Sequence, residues 1–250
     1  RRARPTSAGA RRSSSADVGT GEDGGTESIN TIVMPSGRSH GYWRHRSWLP
    51  KPSRHTTMAI TLYGGARSRA SMPRWYMEEK GIAYQWQQLD MEAGEHRQEP
   101  FLSINPFGKV PALVEEDPSL PGGRVQLFES GAILLYLAER HGGECRDAAE
   151  RGVAQQWVLF ANATLATALF VPSNREREFP RLMTVLDGLL SGGRPLIGSP
   201  WGVADCAVHA YLAYLPIFFP QIDLTPYPNV QATIQATQQR PAYQRVMGQR

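Results

Sequence analysis

The stretch Asn105-Pro106-Phe107-Gly108-Lys109-Val110-Pro111-Ala112-Leu113 reads as a loop that runs into a strand at Val110-Pro111. A second stretch, Phe128-Glu129-Ser130-Gly131-Ala132-Ile133, reads as a strand that ends at a helix start. Together they describe a surface suited to a short peptide. Val110 offers backbone N–H and C=O groups to an extended ligand, as an exposed strand would. Glu129 and Ser130 stand where the unpaired N–H groups of a helix meet a carboxylate.

The chain is patterned on both sides of this pair. Residues 59–63 form a short strand closed by Gly64-Gly65. Residues 70–80 carry Met72, Trp75, Tyr76 and Met77 at helical spacing and stop at Gly81. Pro73 fits that helix only near its first turn. Residues 84–89 predict a second strand, 95–103 an irregular helix, and 112–114 and 125–128 two further strands joined through the turn residues 117–123. Residues 130–140 predict a helix with Ile133, Leu134 and Leu137 on one face. The order β-α-β-α-β-β-α predicts a small α/β domain with one mixed sheet over residues 58–142. After Gly142-Gly143, residues 147–170, 177–191, 203–215 and 227–248 read as helices. Pro172, Pro180, Gly192-Gly193, Pro195, Pro200 and Pro220 stand between them, and no alternating strand pattern appears. An all-α domain is expected over residues 147–250.

Residues 1–57 differ in character. They are rich in Arg, Ser, Gly and Thr without a sustained apolar period, and such a segment buries too little apolar surface to offset its ordering entropy. A disordered basic tail is expected there. It reads as sequence upstream of a start at Met58, as an Arg/Ser-rich targeting peptide, or as a basic arm. Asp17, Glu22, Asp23 and Glu27 count against the second of these. The tail holds ten Lys/Arg against four Asp/Glu, which leaves seventeen against nineteen for residues 58–250. The basic balance therefore belongs to the tail, and the body offers no basic surface for nucleic acid. A 41% hydrophobic content over 250 residues is enough to bury a sizeable core. No uninterrupted apolar run reaches the ~18–20 residues that span a membrane. Cys145 and Cys206 are too few for a disulfide framework and lack metal-ligand spacing, so buried thiols in a reducing compartment are expected.

Five motifs carry a resemblance. They are Leu62-Tyr63-Gly64-Gly65, Asn105-Pro106-x-Gly108-Lys109-Val110-Pro111-Ala112-Leu113, Glu129-Ser130-x-Ala132-Ile133, Val203-Ala204-Asp205, and Tyr227-Pro228-Asn229-Val230 leading to Arg240-Pro241-Ala242. In order and spacing, residues 58–250 resemble a glutathione transferase. The phrase Tyr63-Gly64-Gly65-Ala66-Arg67-Ser68-Arg69-Ala70-Ser71 is similar to the cyanobacterial group called the chi class. The resemblance implies a thioredoxin-like N-terminal domain that binds glutathione, followed by an all-helical C-terminal domain that shapes an electrophile pocket. It also implies a cytoplasmic homodimer engaged in detoxification and stress response, with glutathione as co-substrate and a small electrophile as second substrate; a glutathione-dependent isomerase, peroxidase or dehalogenase on the same fold, or a non-catalytic interaction module, stands as the alternative. No metal or nucleotide cofactor, membrane or nucleic acid is implied as a partner.

The resemblance assigns roles residue by residue. Pro111 resembles the family's cis-proline, which turns the Val110 backbone toward the ligand's cysteinyl unit. Glu129 and Ser130 resemble the pair that holds the γ-glutamyl end: Ser130 through hydroxyl and N–H beside a carboxylate, Glu129 through the ligand's ammonium group. Lys109 lies near the glycyl carboxylate, with His96 as a further candidate there. The thiol itself needs activation, because the thiolate is the nucleophile. Lowering a thiol pKa by two units takes about 2.7 kcal/mol of selective anion stabilisation. One or two hydrogen bonds to the charged sulfur, at ~1.5–3 kcal/mol each, supply it. Arg67, Ser68 and Tyr63 are the candidate donors. Arg67 replaces the cysteine of the Gly-Ala-Cys-Ser phrase of bacterial cysteine-type enzymes and presents several charged donors. Ser68 offers one hydroxyl. For Tyr63, core packing at a strand end is the favoured alternative; for Arg67 and Arg69, it is a solvated loop charge or a salt bridge to the ligand's carboxylates. Phe160, Asn162, Thr164, Phe170 and Trp201 are candidates for the electrophile site or for the helical core. Asp205 resembles the family's helix-capping aspartate. Gly202 stands where a Ser or Thr is usual, which predicts a weaker cap.

Overall fold

Strands β1 (Ala59–Gly64), β2 (Gln85–Gln88), β3 (Ala112–Glu116) and β4 (Arg124–Phe128) form one sheet in the order β2-β1-β3-β4 in a computed structural model of the chain. It describes residues 59–247 apart from Ser199, so the expectations for residues 1–57 lie outside the described residues. β1 and β2 are parallel, with Tyr63 opposite Gln87; β3 runs antiparallel to β1 and β4, with Leu62 opposite Leu113. A parallel pair needs a crossover, and α1 (Ser71–Lys80) lies between the two strands. Pro73 occupies its third position, where a missing N–H leaves no intrahelical bond unmade.

Alternation along the strands decides what each face of the sheet meets. Ile60, Leu62 and Leu113 join Met72, Trp75 and Met77 of α1 and Ile133, Leu134 and Leu137 of α2 (Ser130–Arg140). On the other face Ala112 and Val114 pack with Leu89, Phe101 and Ile104, and Tyr63 lies against this cluster. This is the thioredoxin-like arrangement the resemblance implies. The segment expected as one irregular helix over residues 95–103 is instead two separate 3₁₀ turns, Glu95–Arg97 and Phe101–Ser103. Pro100 between them removes a backbone donor.

After β4 every described regular element is helical. α3 (Ala148–Leu159), a π-type turn (Phe160–Leu165) and α4 (Ala166–Phe170) form one run, followed by α5 (Pro172–Leu189), α6 (Val203–Phe218), α7 (Pro228–Gln239) and α8 (Pro241–Met247). α5 begins five residues before its expected start and carries Pro180 in its interior rather than at its edge. The helix expected over residues 227–248 is two helices. Pro241 holds Arg240 in an extended conformation and opens α8 as its first residue. By length and composition the 23 residues of Ala148–Phe170 would suffice to cross a membrane. Here Ala154, Val158, Ala161, Leu165, Ala168 and Leu169 enter the core at spacings of three and four, as one face of a packed helix does. α6 is buried from Val203 to Leu215 and lies at the centre of the helical part. The sheet, α1, α2 and these helices share one continuous apolar cluster.

The cap of α6 is built differently from expectation. Gly202 has no side-chain acceptor, yet the first helical N–H, that of Val203, donates to Glu144 Oε2 at 2.8 Å. Glu144 belongs to the linker between α2 and α3, and it also accepts from Tyr76 Oη at 2.7 Å and pairs with Lys80 Nζ at 2.9 Å. A Cβ on Gly202 would lie 2.5 Å from Glu144 Oε2. Asp205 closes the turn by accepting from Gly202 N at 3.0 Å and Leu196 N at 2.9 Å.

Candidate active site

The loop before β3 is held by Asn105, which is almost fully buried. Its Nδ2 donates to the Lys109 carbonyl at 2.7 Å and its Oδ1 accepts from Phe107 N at 3.2 Å. Gly108 completes the turn at φ 57°, where a Cβ would also lie 2.9 Å from the His96 carbonyl oxygen. The loop delivers Val110 to a cis Val110–Pro111 bond. No described residue pairs with the Val110 backbone groups, which leaves them available to an extended ligand. Lys109 is exposed beside it, and His96 is buried with its Nδ1 unpaired among the described residues.

At the start of α2, Glu129 is exposed at φ 69° and ψ 120°, an unusual conformation for a residue with a side chain. Ser130 follows, 2% exposed. Its hydroxyl donates across to the helical part, to Asn162 Oδ1 at 3.0 Å. Asn162 projects from the π-type turn and also accepts from Tyr211 Oη at 3.2 Å. Tyr211 in turn accepts from Arg69 Nη1 at 3.5 Å, and burial, offset by Arg69, pushes its phenol up.

The third element is the loop between β1 and α1. Arg67 takes the left-handed conformation at φ 57° and its side chain is exposed. Ser68 Oγ accepts from the backbone N–H of Gly65 and of Ala70, both at 3.3 Å. Its lone pairs are thereby engaged while its proton stays free to donate. Ser71 and Tyr214 hydroxyls pair at 2.7 Å.

A cavity of about 480 Å³ opens between this loop and the helical part. Arg67, Ser68, Arg69 and Asn162 line its polar end; Phe170, Tyr211, Tyr214 and Phe218 supply an aromatic wall. The structure thus brings Arg67 and Ser68 together at one cavity. Tyr63 does not line it. Its ring packs against Phe101 in a tilted pair, centroids 5.9 Å apart, and burial pushes its phenol up, as a core residue at a strand end behaves. Of the candidates in the helical part, Asn162 and Phe170 line the cavity. Phe160 and Thr164 face a separate groove of about 400 Å³ against α5, and Trp201 packs on Trp75 at 5.0 Å. Tyr211 and Tyr214 carried no signal in the sequence. Their partners Arg69 and Ser71 lie more than 140 positions away, and only the fold brings them together.

The family model described as the N-terminal domain of glutathione S-transferases matches residues 58–139. A Disulfide-bond oxidoreductase, YfcG, of Escherichia coli is 31% identical over 203 residues, covering 73% of this chain and 92% of its own. The chain belongs to the glutathione S-transferase family. A Glutathione S-transferase-like protein, OpS6, of Beauveria bassiana is 30% identical over 193 residues, covering 68% of this chain and 85% of its own. Among solved structures, the glutathione transferase of Burkholderia graminis, with two glutathione molecules bound per subunit, aligns at a TM-score of 0.61 and 30% identity over 76% of this chain and 88% of that one. The glutathione S-transferase fold therefore accounts for the thioredoxin-like sheet and the helices behind it.

Proposed function

We propose that this protein binds glutathione along Val110, Pro111 and the start of α2, and conjugates its thiolate to a small electrophile held in the aromatic cavity. The observation that supports this reading most is Asn162. It borders the cavity and is bonded to Ser130, so the expected γ-glutamyl end and the expected electrophile end meet at one side chain. In this reading Lys109 lies at the glycyl end, Glu129 faces the ligand's ammonium, and Arg67 and Ser68 meet the sulfur. A guanidinium brings full charge to the anion. The Ser68 hydroxyl, polarised by the two N–H groups it accepts from, donates its one proton. The reaction forms a carbon–sulfur bond and either expels the leaving group as an anion or breaks the C=N π bond of an isothiocyanate, whose nitrogen then takes a proton from water. The protein is read as a cytoplasmic homodimer, close within the family to the chi class. Turnover of a chlorodinitrobenzene-type substrate or an isothiocyanate with glutathione tests the reading. No rate with any electrophile would sink it and favour a non-catalytic interaction module.

A second reading has support from the relative named a disulfide-bond oxidoreductase. There, bound glutathione thiolate attacks the glutathionyl sulfur of a mixed disulfide in the cavity, which forms glutathione disulfide and releases the other sulfur as thiolate. Cys145 and Cys206 are buried with their thiols pushed up by burial, so both sulfurs would come from substrates. A faster rate with a glutathionylated disulfide than with any carbon electrophile would select this reading.

A further inference from the structure

We propose that Arg69 selects the second substrate: the cavity takes an aromatic or conjugated electrophile that carries a carboxylate or another anionic group, and Arg69 pairs with that group. This inference rests on the glutathione reading proposed above and names the substrate class of the same cavity.

The wall of the cavity is a closed set of rings. Phe170 lies 6.5 Å from Tyr211, Tyr211 5.8 Å from Tyr214, Tyr214 5.7 Å from Phe218 and Phe218 6.0 Å from Phe170, all edge to face. Such a wall suits a flat apolar ring. Its two phenols are already engaged, Tyr211 Oη with Asn162 at 3.2 Å and Tyr214 Oη with Ser71 at 2.7 Å. The charge around the wall has one sign. The charged lining residues are Arg67 and Arg69, and no Asp or Glu among the described residues lines the cavity. Behind the wall Arg175 lies 4.5 Å over the Phe219 ring, itself 5.5 Å from Phe170. Residues 58–250 hold more Asp/Glu than Lys/Arg, so this positive field is local to the cavity. The two lining arginines are held differently. Arg67 is exposed beside Ser68, at the sulfur in the proposed site. Arg69 is fastened to the wall, its Nη1 donating to Tyr211 Oη at 3.5 Å, and no carboxylate pairs with it among the described residues. The rest of its five N–H donors face solvent or a ligand. A neutral ring settling on the wall takes water from this guanidinium and gives nothing back. A ring that carries a carboxylate restores the lost bonds, two of them in parallel. The anionic group stays on the product, and Arg69 takes no part in the bond changes.

The probes are a chlorodinitrobenzoate, with chlorine between the nitro groups and para to the carboxylate, and its methyl ester. In both, the glutathione thiolate bonds the chlorine-bearing carbon and chloride leaves with its electron pair. The quantity read is kcat/KM on the full chain, divided by the uncatalysed rate for each probe. The acid is expected to exceed the ester about tenfold, the scale of one hydrogen bond to a charged group. Arg69→Gln is expected to lower the acid-to-ester ratio about tenfold. The loss should fall on the KM of the acid, because a group remote from the reacting carbon is bound equally in ground and transition states. Arg69→Lys keeps the charge without the fork and should give an intermediate ratio. Added salt should lower the rate with the acid more steeply than with the ester, a reading that needs no variant to fold. No preference for the acid in the unchanged protein, or a ratio that Arg69→Gln leaves where it was, overturns the inference. A higher KM for glutathione in Arg69→Gln, measured with the ester, assigns Arg69 to glutathione and overturns it as well. No turnover of either probe by the unchanged protein overturns the glutathione reading itself.

Discussion

Two neighbouring side chains, Arg67 and Ser68, border the cavity, and their surroundings give them different parts. Among the described residues the Arg67 side chain has no hydrogen-bond partner and is exposed, whereas Ser68 ties the loop together through Gly65 and Ala70. In the proposed site, replacing either would remove a hydrogen bond to a charged sulfur, ~1.5–3 kcal/mol, or about ten- to a hundredfold in rate at neutral pH. Without the donor the thiol pKa rises, so the pH–rate profile of Arg67→Ala should shift to higher pH and recover there. Its thermal midpoint should stay put. Ser68→Ala should show the same shift together with a lower midpoint, because two buried N–H groups lose their acceptor. A profile that does not move in either variant would leave the thiolate without either donor. The sequence alone kept Tyr63 as a third candidate donor, below these two, with core packing at a strand end as its favoured reading. It could not show that Tyr63 turns to Phe101, since that depends on the pairing of β1 with β3.

Helix α6 shows how an element can be legible in place and illegible in its means. Val203-Ala204-Asp205 marks its start, and Asp205 caps it as the motif implies. Gly202 read as a defect because a cap is ordinarily supplied by the residue at that position. In the fold the acceptor arrives from Glu144, 58 positions earlier, and takes the room a side chain would need. A serine is ordinarily the better N-cap than glycine by a few tenths of a kcal/mol. Here the opposite is expected. Gly202→Ser should lower stability by about 1–2 kcal/mol, and in the Glu144→Ala background it should raise stability instead. Thermal melting of the four proteins reads the change of sign; a stabilising Gly202→Ser in the unaltered chain would refute the cross-linker cap. Helix boundaries that were misread have equally local causes. Pro241 opens a helix where a continuous one was expected, and Pro180 sits inside α5 without ending it.

Across the molecule, the sheet and helices share a core, and their seam is polar where it meets the cavity. The four strands, α1, α2 and the helical remainder were legible because apolar periods and turn residues report local structure; the irregular helix expected between β2 and β3 is two 3₁₀ turns instead. The long-range ties were not legible. Glu115, fully buried on β3, accepts from Tyr136 Oη at 2.7 Å, Arg140 Nε at 2.8 Å and lies 3.0 Å from His141 Nε2. Burial pushes this carboxyl up, but the hydrogen bonds from Arg140, His141 and Tyr136 outweigh it and hold the pKa below its ordinary value of 4.5. A carboxyl with a depressed folded pKa contributes stability that is fully present above its unfolded value, here taken as the ordinary 4.5, and lost as pH falls through the folded value. The protein should therefore lose stability below about pH 4.5. Glu115→Gln should cost about 3 kcal/mol near pH 7 and flatten that acid limb, as denaturant melts from pH 7 to pH 3 would show. An acid limb as steep in the variant as in the parent would remove Glu115 from the account. The central claim is that one cavity joins a glutathione held at Val110 and Ser130 to the donors Arg67 and Ser68. A crystal structure with bound glutathione tests it most directly. The account predicts the sulfur within hydrogen-bond distance of the Arg67 guanidinium or Ser68 Oγ, facing Phe170 and Tyr211; a sulfur beside Tyr63, or glutathione lodged in the groove against α5, would contradict it.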